Sequence, residues 1–492
     1  MTKTYQLFID GKWRNASGGA TIPAINPFDQ SVHAHVPVAT QGDVAEAVSA
    51  ARRAYDSVWS KTTPGQRAAL MNLLADLIDA DSQRLALLET TDNGKVIRET
   101  ASQMGHAARL FRYYAGWADK LSGDVVPLDQ ADTAGLTLRE PYGVVACITA
   151  WNSPIAILCN TMPAALAAGN CVIAKPSEHA STTTLEIAAL CEKAGFPAGV
   201  FQVVTGAGET GEALTSSAGI DKISFTGSPG VGRAIARAAA GNLKPVCLEL
   251  GGKSPNIVFD DCDFERALIG ALAGIFGATG QTCIAGSRLL VQRGVYERMV
   301  EGLAARAAQI RMGDPRLPET EMGTAANEPQ FGKILSFIEA AKGDGARLVA
   351  GGGRAEGPGL ENGFFVQPTI FADVRNDMKV AAEEIFGPVL SIIPFSDEEE
   401  AVSIANDTPY GLASGVWSQD INRCMRMIRA IRSGVVWVNT YRVAAPQLPF
   451  GGMKDSGYGR VRGAAGIEEW MQTKTVFIDY SGDRRDPFAM KF

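Results

Sequence analysis

Two short strings carry groups able to do covalent chemistry. Gly280-Gln281-Thr282-Cys283-Ile284-Ala285-Gly286-Ser287-Arg288 offers a thiol, and the preceding Glu249-Leu250-Gly251-Gly252-Lys253-Ser254-Pro255-Asn256 offers a carboxylate. A thiol nucleophile and a carboxylate base together suit attack on a carbonyl followed by hydrolysis of the acyl-enzyme. The thiolate is the reactive form, and at its ordinary pKa a cysteine is only a few per cent ionised at neutral pH, so such a site must favour the thiolate or move its proton. Addition of sulfur to a carbonyl carbon gives a tetrahedral adduct, whose collapse leaves an acyl group on the enzyme. Taken singly, neither string decides anything, because most cysteines are buried packing residues and most Glu side chains are solvated.

Four further segments accompany them: Thr149-Ala150-Trp151-Asn152-Ser153-Pro154, Lys175-Pro176-Ser177-Glu178, Phe225-Thr226-Gly227-Ser228 and Glu383-Glu384-Ile385-Phe386-Gly387-Pro388. In order and approximate spacing all six resemble the aldehyde dehydrogenase superfamily, over nearly the whole chain. The resemblance implies a hydrolytic, non-acylating enzyme that oxidises an aldehyde to a carboxylic acid with Cys283 as nucleophile. Asn152 would then donate its side-chain amide, beside the backbone N–H of Cys283, to the developing oxyanion. On its own residues the Trp151–Pro154 stretch reads equally well as a strand-ending turn. Glu249 would activate the deacylating water, a task suited to a buried carboxyl with a raised pKa. Its presence also separates the hydrolytic type from CoA-acylating relatives, which generally lack a Glu there.

The turn Gly227-Ser228-Pro229-Gly230-Val231-Gly232 precedes a helix, where free N–H groups and the helix dipole favour a pyrophosphate. It is not the G-x-G-x-x-G fingerprint. By resemblance, Lys175 and Glu178 hold the adenosine ribose and Glu384 the nicotinamide ribose. Thr149, Trp151, Ser177, Gly208, Gly227, Ser228, Val231, Leu250 and Phe386 complete the expected cofactor site. Read without the family, Lys175 and Glu178 are an i,i+3 ion pair of little consequence. A carboxylate at 178 would repel a 2′-phosphate, which favours NAD over NADP.

The expected substrate tunnel takes His106, Ser153, Asn160, Arg442, Ala444 and Phe450. Ser153, Asn160 and Ala444 stand where relatives acting on small apolar aldehydes tend to carry aromatics, so the tunnel should be wide and polar and the substrate larger and polar, with Arg442 available to a carboxylate. Two other readings compete: a CoA-acylating semialdehyde dehydrogenase, which Glu249 disfavours, and a non-catalytic protein that retains the fold.

These groups need elements to position them. A chain of 492 residues is too long for one ordinary core, and 46% hydrophobic with 20% charged residues describes a soluble globular protein. The net charge of −7 argues against nucleic acid as a partner. The N-terminus lacks the apolar run of a secretion signal, and the most apolar stretch, 144–169, is interrupted by polar residues, so a cytoplasmic protein without a membrane span is expected. Eight dispersed cysteines without a C-x-x-C pair fit reduced thiols. The four histidines have no partners at zinc spacings, and no metal is assigned.

The first region reads as largely helical, with a capping-box-like start at Thr40-Gln41-Gly42-Asp43 and Val44, Ala47, Val48 and Ala51 on one face. A second helix starts at Thr63-Pro64, with Leu70, Leu73, Leu74, Leu77 and Ile78 as its buried stripe. From about 143, strands at 143–150, 171–175, 200–204 and 222–225 alternate with helices near 155–168, 181–194, 208–217 and 229–240. That alternation requires crossovers and hence a parallel sheet covered on both faces, with ligands at the strand C-terminal ends. A second series begins with a strand at 256–259, a helix from 264, a strand at 288–292 and a helix from 295, and runs to 434–439.

The expected fold is therefore α/β and aldehyde dehydrogenase-like, with two Rossmann-like open parallel-sheet domains. Residues 1–121 and 143–250 form the NAD-binding domain and 251–440 the catalytic domain. Extended segments at 122–142 and 470–492 pair, by resemblance, into an oligomerisation arm of a homodimer or homotetramer; the alternative is an edge hairpin of one monomer.

Overall fold

The computed structural model describes residues 2–483 and Phe488. Its centre is two open sheets. In the first, five parallel strands run in the order Val246–Glu249, Lys222–Thr226, Val144–Ile148, Cys171–Lys175, Phe201–Val203. The three inner ones are buried almost throughout, as expected of strands covered by helices on both faces. The covering helices include Pro154–Ala168, Thr182–Ala194, Gly208–Ser216 and Pro229–Ala240. In the second sheet, Thr369–Ala372, Val389–Phe395, Arg288–Gln292, Pro255–Val258, Ala413–Trp417 and Val435–Val438 are parallel in that order, with Arg347–Ala350 antiparallel on one edge.

The expected helix starts are there, with their capping chemistry. Thr40 Oγ1 accepts from the Asp43 N–H at 3.2 Å while Asp43 Oδ2 accepts from the Thr40 N–H at 2.9 Å, opening Gln41–Ser57. Thr63 and Gln66 repeat the arrangement at Pro64–Ala80, where Pro64 occupies a position that needs no N–H. The stripe on that helix differs from expectation. Met71, Leu74, Ala75 and Ile78 are buried, whereas Leu73 is exposed, because the packed face is narrower than a count of leucines suggests.

Two regions depart from the expected organisation. The first region is not largely helical from its start. Residues 3–37 contain five strands, of which Leu7–Ile9 and Lys12–Arg14 extend the first sheet, while Lys3–Thr4, Thr21–Ile25 and Val32–Pro37 form a small sheet of their own. These strands are short and take their pairing from distant residues, so periodicity gives little sign of them. The other departure is the segment beyond 440. After the second sheet ends, Gly457–Tyr458 returns to pair antiparallel with Val246–Glu249 on the first sheet, Glu249 opposite Gly457.

The segments 122–142 and 470–492 do meet. Met471–Asp479 pairs antiparallel with Thr133–Pro141 along its full length, and Val125–Val126 adds a third strand. Residues 484–487 and 489–492 of that expected arm lie outside the described residues. No helix among the described residues is long and apolar enough to cross a membrane.

Candidate active site

Cys283 lies on a loop between the helix Phe264–Phe276 and the strand Arg288–Gln292. Ala278, Thr279 and Gly280 all have positive φ, so the chain turns sharply just before the thiol. At Gly280 a Cβ would stand 2.1 Å from the Gly387 carbonyl oxygen, so this turn can press against the segment that carries Glu384 and Phe386 only if residue 280 lacks a side chain. Four hydrogen bonds then fix the loop. Gln281 donates its amide to the Thr324 carbonyl at 3.0 Å and accepts from the Ala326 N–H at 2.9 Å; Asn152 Nδ2 donates to the Gln281 carbonyl at 2.9 Å; and the Tyr441 hydroxyl donates to the Ile284 carbonyl at 3.0 Å.

Glu249 comes from the other sheet, as the last residue of Val246–Glu249. Gly252 lets the two segments meet, since a Cβ there would lie 2.6 Å from the Cys283 carbonyl oxygen. Both carboxylate oxygens of Glu249 are buried without a hydrogen-bond partner. Burial holds this carboxyl well above its ordinary range, against the opposing influence of Arg460 and Arg462. The Cys283 thiol is pushed up to about 12, chiefly by burial and then by Glu249 and Glu384, while Arg462 and its own backbone amide favour the thiolate. Burial thus favours the protonated form of both acid groups. Cys283 is nevertheless partly open, unlike Cys147, Cys159, Cys171, Cys191, Cys247 and Cys424, which are buried.

The opening is a continuous cavity of about 1070 Å³. Asn152, Glu249 and Cys283 all line it, as do Trp151, Gly227, Ser228, Leu250, Glu384 and Phe386 of the expected cofactor set. Thr149, Lys175, Ser177, Glu178, Gly208 and Val231 lie off its wall but along the same edge of the first sheet, at the strand C-terminal ends and the helix starts that follow them. Every expected tunnel residue lines the cavity: His106, Ser153, Asn160, Arg442, Ala444 and Phe450.

The cofactor edge fits a dinucleotide. The helix Pro229–Ala240 starts there, its Val231 N–H held by Ser228 Oγ at 3.4 Å. Lys175 and Glu178 form an ion pair at 3.7 Å, and burial of the lysine lowers its pKa. The Thr149 hydroxyl is buried without a partner. Glu384 Oε1 accepts from the Gly252 N–H at 2.9 Å, and Trp151 meets Phe386 edge to face at 5.3 Å between ring centroids.

The residue pattern of the aldehyde dehydrogenase family matches residues 13–476. The chain belongs to the aldehyde dehydrogenase family. It is 45% identical over 491 residues to (Z)-2-((N-methylformamido)methylene)-5-hydroxybutyrolactone dehydrogenase of Acinetobacter baylyi, covering 99% of each chain. To betaine aldehyde dehydrogenase of Bacillus subtilis it is 43% identical over 473 residues, 96% of each chain. A crystal structure of betaine aldehyde dehydrogenase from Staphylococcus aureus with NAD+ superimposes with a TM-score of 0.97 at 37% identity, over 99% of this chain and 97% of that one. The protein is an NAD-dependent oxidoreductase acting on aldehydes, with the expected α/β fold.

Several residues at this aldehyde dehydrogenase site were not singled out by sequence. Lys95 is buried and donates Nζ to the Asn152 carbonyl and to Ser153 Oγ, behind the proposed oxyanion donor. Beside it, Glu89 is fully buried and raised to about 7 by that burial. Arg462 lines the cavity, donating Nε to Asn160 Oδ1 at 2.8 Å with its guanidinium 5.2 Å from the Phe450 ring centroid. Arg442, the arginine expected in the tunnel, donates Nη1 to the Ala273 carbonyl at 3.1 Å. The one sequence sign of Arg462 is its place two residues beyond Ser456-Gly457-Tyr458-Gly459-Arg460, a string that resembles the late motifs of the family but reads equally as ordinary loop punctuation.

Proposed function

We propose that the enzyme oxidises its aldehyde to a free carboxylic acid through covalent catalysis by Cys283. The convergence of Cys283, Glu249 and Asn152 on the cavity wall that also carries Gly227, Ser228, Glu384 and Phe386 supports this reading. Cys283 Sγ gives up its proton to solvent and adds, as the thiolate, to the carbonyl carbon. The carbonyl oxygen becomes an oxyanion, to which Asn152 Nδ2 presents the hydrogen not committed to Gln281, beside the Cys283 N–H. Bound NAD supplies the hydride acceptor, leaving a thioester on Cys283. Glu249, once ionised, takes a proton from water as the water oxygen bonds to the acyl carbon and the C–S bond breaks, which releases the acid; return of that proton to sulfur restores the Cys283 thiol and the Glu249 carboxylate.

Lys175, Ser177 and Glu178 hold the adenosine ribose in this reading, with Thr149, Trp151, Gly208, Val231 and Leu250 along the rest of the nucleotide. Glu178 makes NADP the poorer cofactor. Residues 1–121 and 143–250 act as the NAD-binding unit, and 251–440 as the catalytic one. The exposed Val125, Leu138, Phe477 and Ile478 on the three-stranded sheet support an arm that pairs protomers as a homodimer or homotetramer. Dispersed free thiols support a cytoplasmic location. The width and polarity of the tunnel support a larger, polar aldehyde.

NADH formation from a panel of aldehydes, with and without coenzyme A, tests the reaction. Turnover to the free acid without coenzyme A is expected. An absolute requirement for coenzyme A would overturn the hydrolytic assignment.

A further inference from the structure

Four cations line the cavity, Arg98, Lys333, Arg442 and Arg462, and none forms an ion pair with the described residues; Arg98 and Lys333 are exposed. Arg462 precedes the short helix Gly463–Glu468 with φ +64°, a left-handed backbone conformation that costs energy in a residue other than glycine. Its side chain runs beneath Phe450 to Asn160. Nε donates to Asn160 Oδ1, and Nη1 and Nη2 make no hydrogen bond to the described residues. Burial depresses the pKa of the guanidinium, which remains charged.

Arg462 is half-buried, and a cation partly removed from water is costly unless it is paired. The groups facing it do not pair with it. Burial favours the neutral form of Glu249, no hydrogen bond joins its carboxylate to Arg462, and the Cys283 thiol is pushed up to about 12. His106, lowered to about 4 by burial and then by Arg462 and Arg109, is neutral, and its Nε2 is buried without a partner. Tyr114 is raised by burial and stays un-ionised. The other arginines on the cavity wall differ. Arg98 is exposed and reaches the Glu321 carbonyl, and Arg442 is tied to the Ala273 carbonyl.

We propose that Arg462 is the specificity-determining residue of the substrate tunnel and that it binds a carboxylate carried by the aldehyde substrate. With Nε committed to Asn160, the edge left to a ligand is the Nη1–Nη2 fork, whose two parallel N–H groups match a carboxylate. Asn160 fixes the plane of that fork and Phe450 supports its face, so little freedom is lost when the anion arrives. The substrate is then an aldehyde acid, and the product a dicarboxylate. A quaternary ammonium aldehyde, the kind of substrate named for the betaine aldehyde dehydrogenases similar to this chain, would meet Arg462 with like charge. The assignment rests on the aldehyde-oxidising reading above and names its substrate class.

The test compares para-carboxybenzaldehyde with para-methylbenzaldehyde, and betaine aldehyde as a cationic probe, by NADH formation in the unmodified enzyme, Arg462→Leu and Arg462→Lys. The unmodified enzyme should prefer the carboxylated aldehyde in kcat/KM. Arg462→Leu should lose about 10–100-fold more on it than on the methyl compound, the excess lying mostly in KM, in keeping with the loss of one charged, forked contact; any loss shared by both aldehydes reports the influence of Arg462 on Cys283 and Glu249. Arg462→Lys, which keeps the charge but not the fork, should fall between. A direct readout accompanies turnover: calorimetric titration of the NAD-loaded enzyme with terephthalate and with para-methylbenzoate, which differ only at the distal group. Tighter binding of terephthalate, lost in Arg462→Leu, supports the subsite even where turnover fails, and in that case only the catalytic reading falls. Turnover with equal losses on both aldehydes, or fastest turnover on betaine aldehyde, overturns the subsite and leaves the catalytic reading standing.

Discussion

At the cofactor edge the chain presents strand ends, the first turn of a 12-residue helix and an ion pair only three residues apart in sequence, Lys175 and Glu178. At the substrate end it presents single side chains from remote segments: His106 from one helix, Asn160 from another, Phe450 and Arg462 from the segment that returns to the first sheet. Backbone N–H groups at a helix start bind phosphate whatever the neighbouring side chains are, so the first kind of site is tolerant. The second kind depends on each side chain and on where the fold brings it. Cys283 and Glu249 stand between the two, one contributed by each sheet.

The largest effect should separate chemistry from nucleotide binding. Cys283→Ala should lower aldehyde oxidation by about 10⁴-fold or more while leaving NAD affinity within about threefold, measured by NADH formation and by fluorescence titration. Near-normal oxidation in that variant would remove Cys283 from the mechanism.

Glu249→Gln should come next. If Glu249 acts on the deacylating water, the variant gives a burst of about one NADH per site and then a steady rate lower by about 10²–10⁴-fold. The pH profile sharpens the point. Burial holds the Glu249 carboxyl above its ordinary range, and the base must be ionised, so kcat should rise with pH through that raised pKa and this limb should vanish in the variant. Intact NAD binding without a burst would move Glu249 to the acylation step.

Asn152→Ala should cost about 10²–10³-fold in kcat, the usual effect of removing one oxyanion donor. Because Asn152 Nδ2 also holds the Gln281 carbonyl, a thermal melt of the variant is the control. A loss confined to stability would make Asn152 a loop anchor.

The smallest effect belongs to the cofactor edge. Glu178→Gln should raise the NADP-to-NAD ratio of kcat/KM by about fivefold, the ~1 kcal/mol that two charges a few ångström apart exchange in water-like surroundings. Glu178 is one-third exposed, so more than that is not expected. An unchanged ratio would mean that this carboxylate does not read the ribose.

The central strands and the helices that cross between them were legible because their periodicity and end signals are local: the expected helix 229–240 is Pro229–Ala240, and the expected strand 171–175 is Cys171–Lys175. The N-terminal strands were not, since two- to five-residue extended runs such as Leu7–Ile9 acquire their pairing only from the first sheet. Leu73 was misplaced for a related reason, as the sequence shows which side of a helix is apolar but not how much of it a neighbour covers.

The sequence by itself determined the family, the proposed catalytic pair Cys283 and Glu249, and the helix and strand signals that place the proposed cofactor residues at sheet edges, because each is written in short strings with fixed residue types. Only the tertiary structure decided what surrounds those groups. That Gly252 lets the Glu249 segment touch the Cys283 loop, that both acid groups lie desolvated, and that Arg462 rather than Arg442 turns its free fork into the cavity all depend on contacts between residues about 30 to 300 positions apart. Burial and charge pairing arise from such contacts, and no local pattern encodes them.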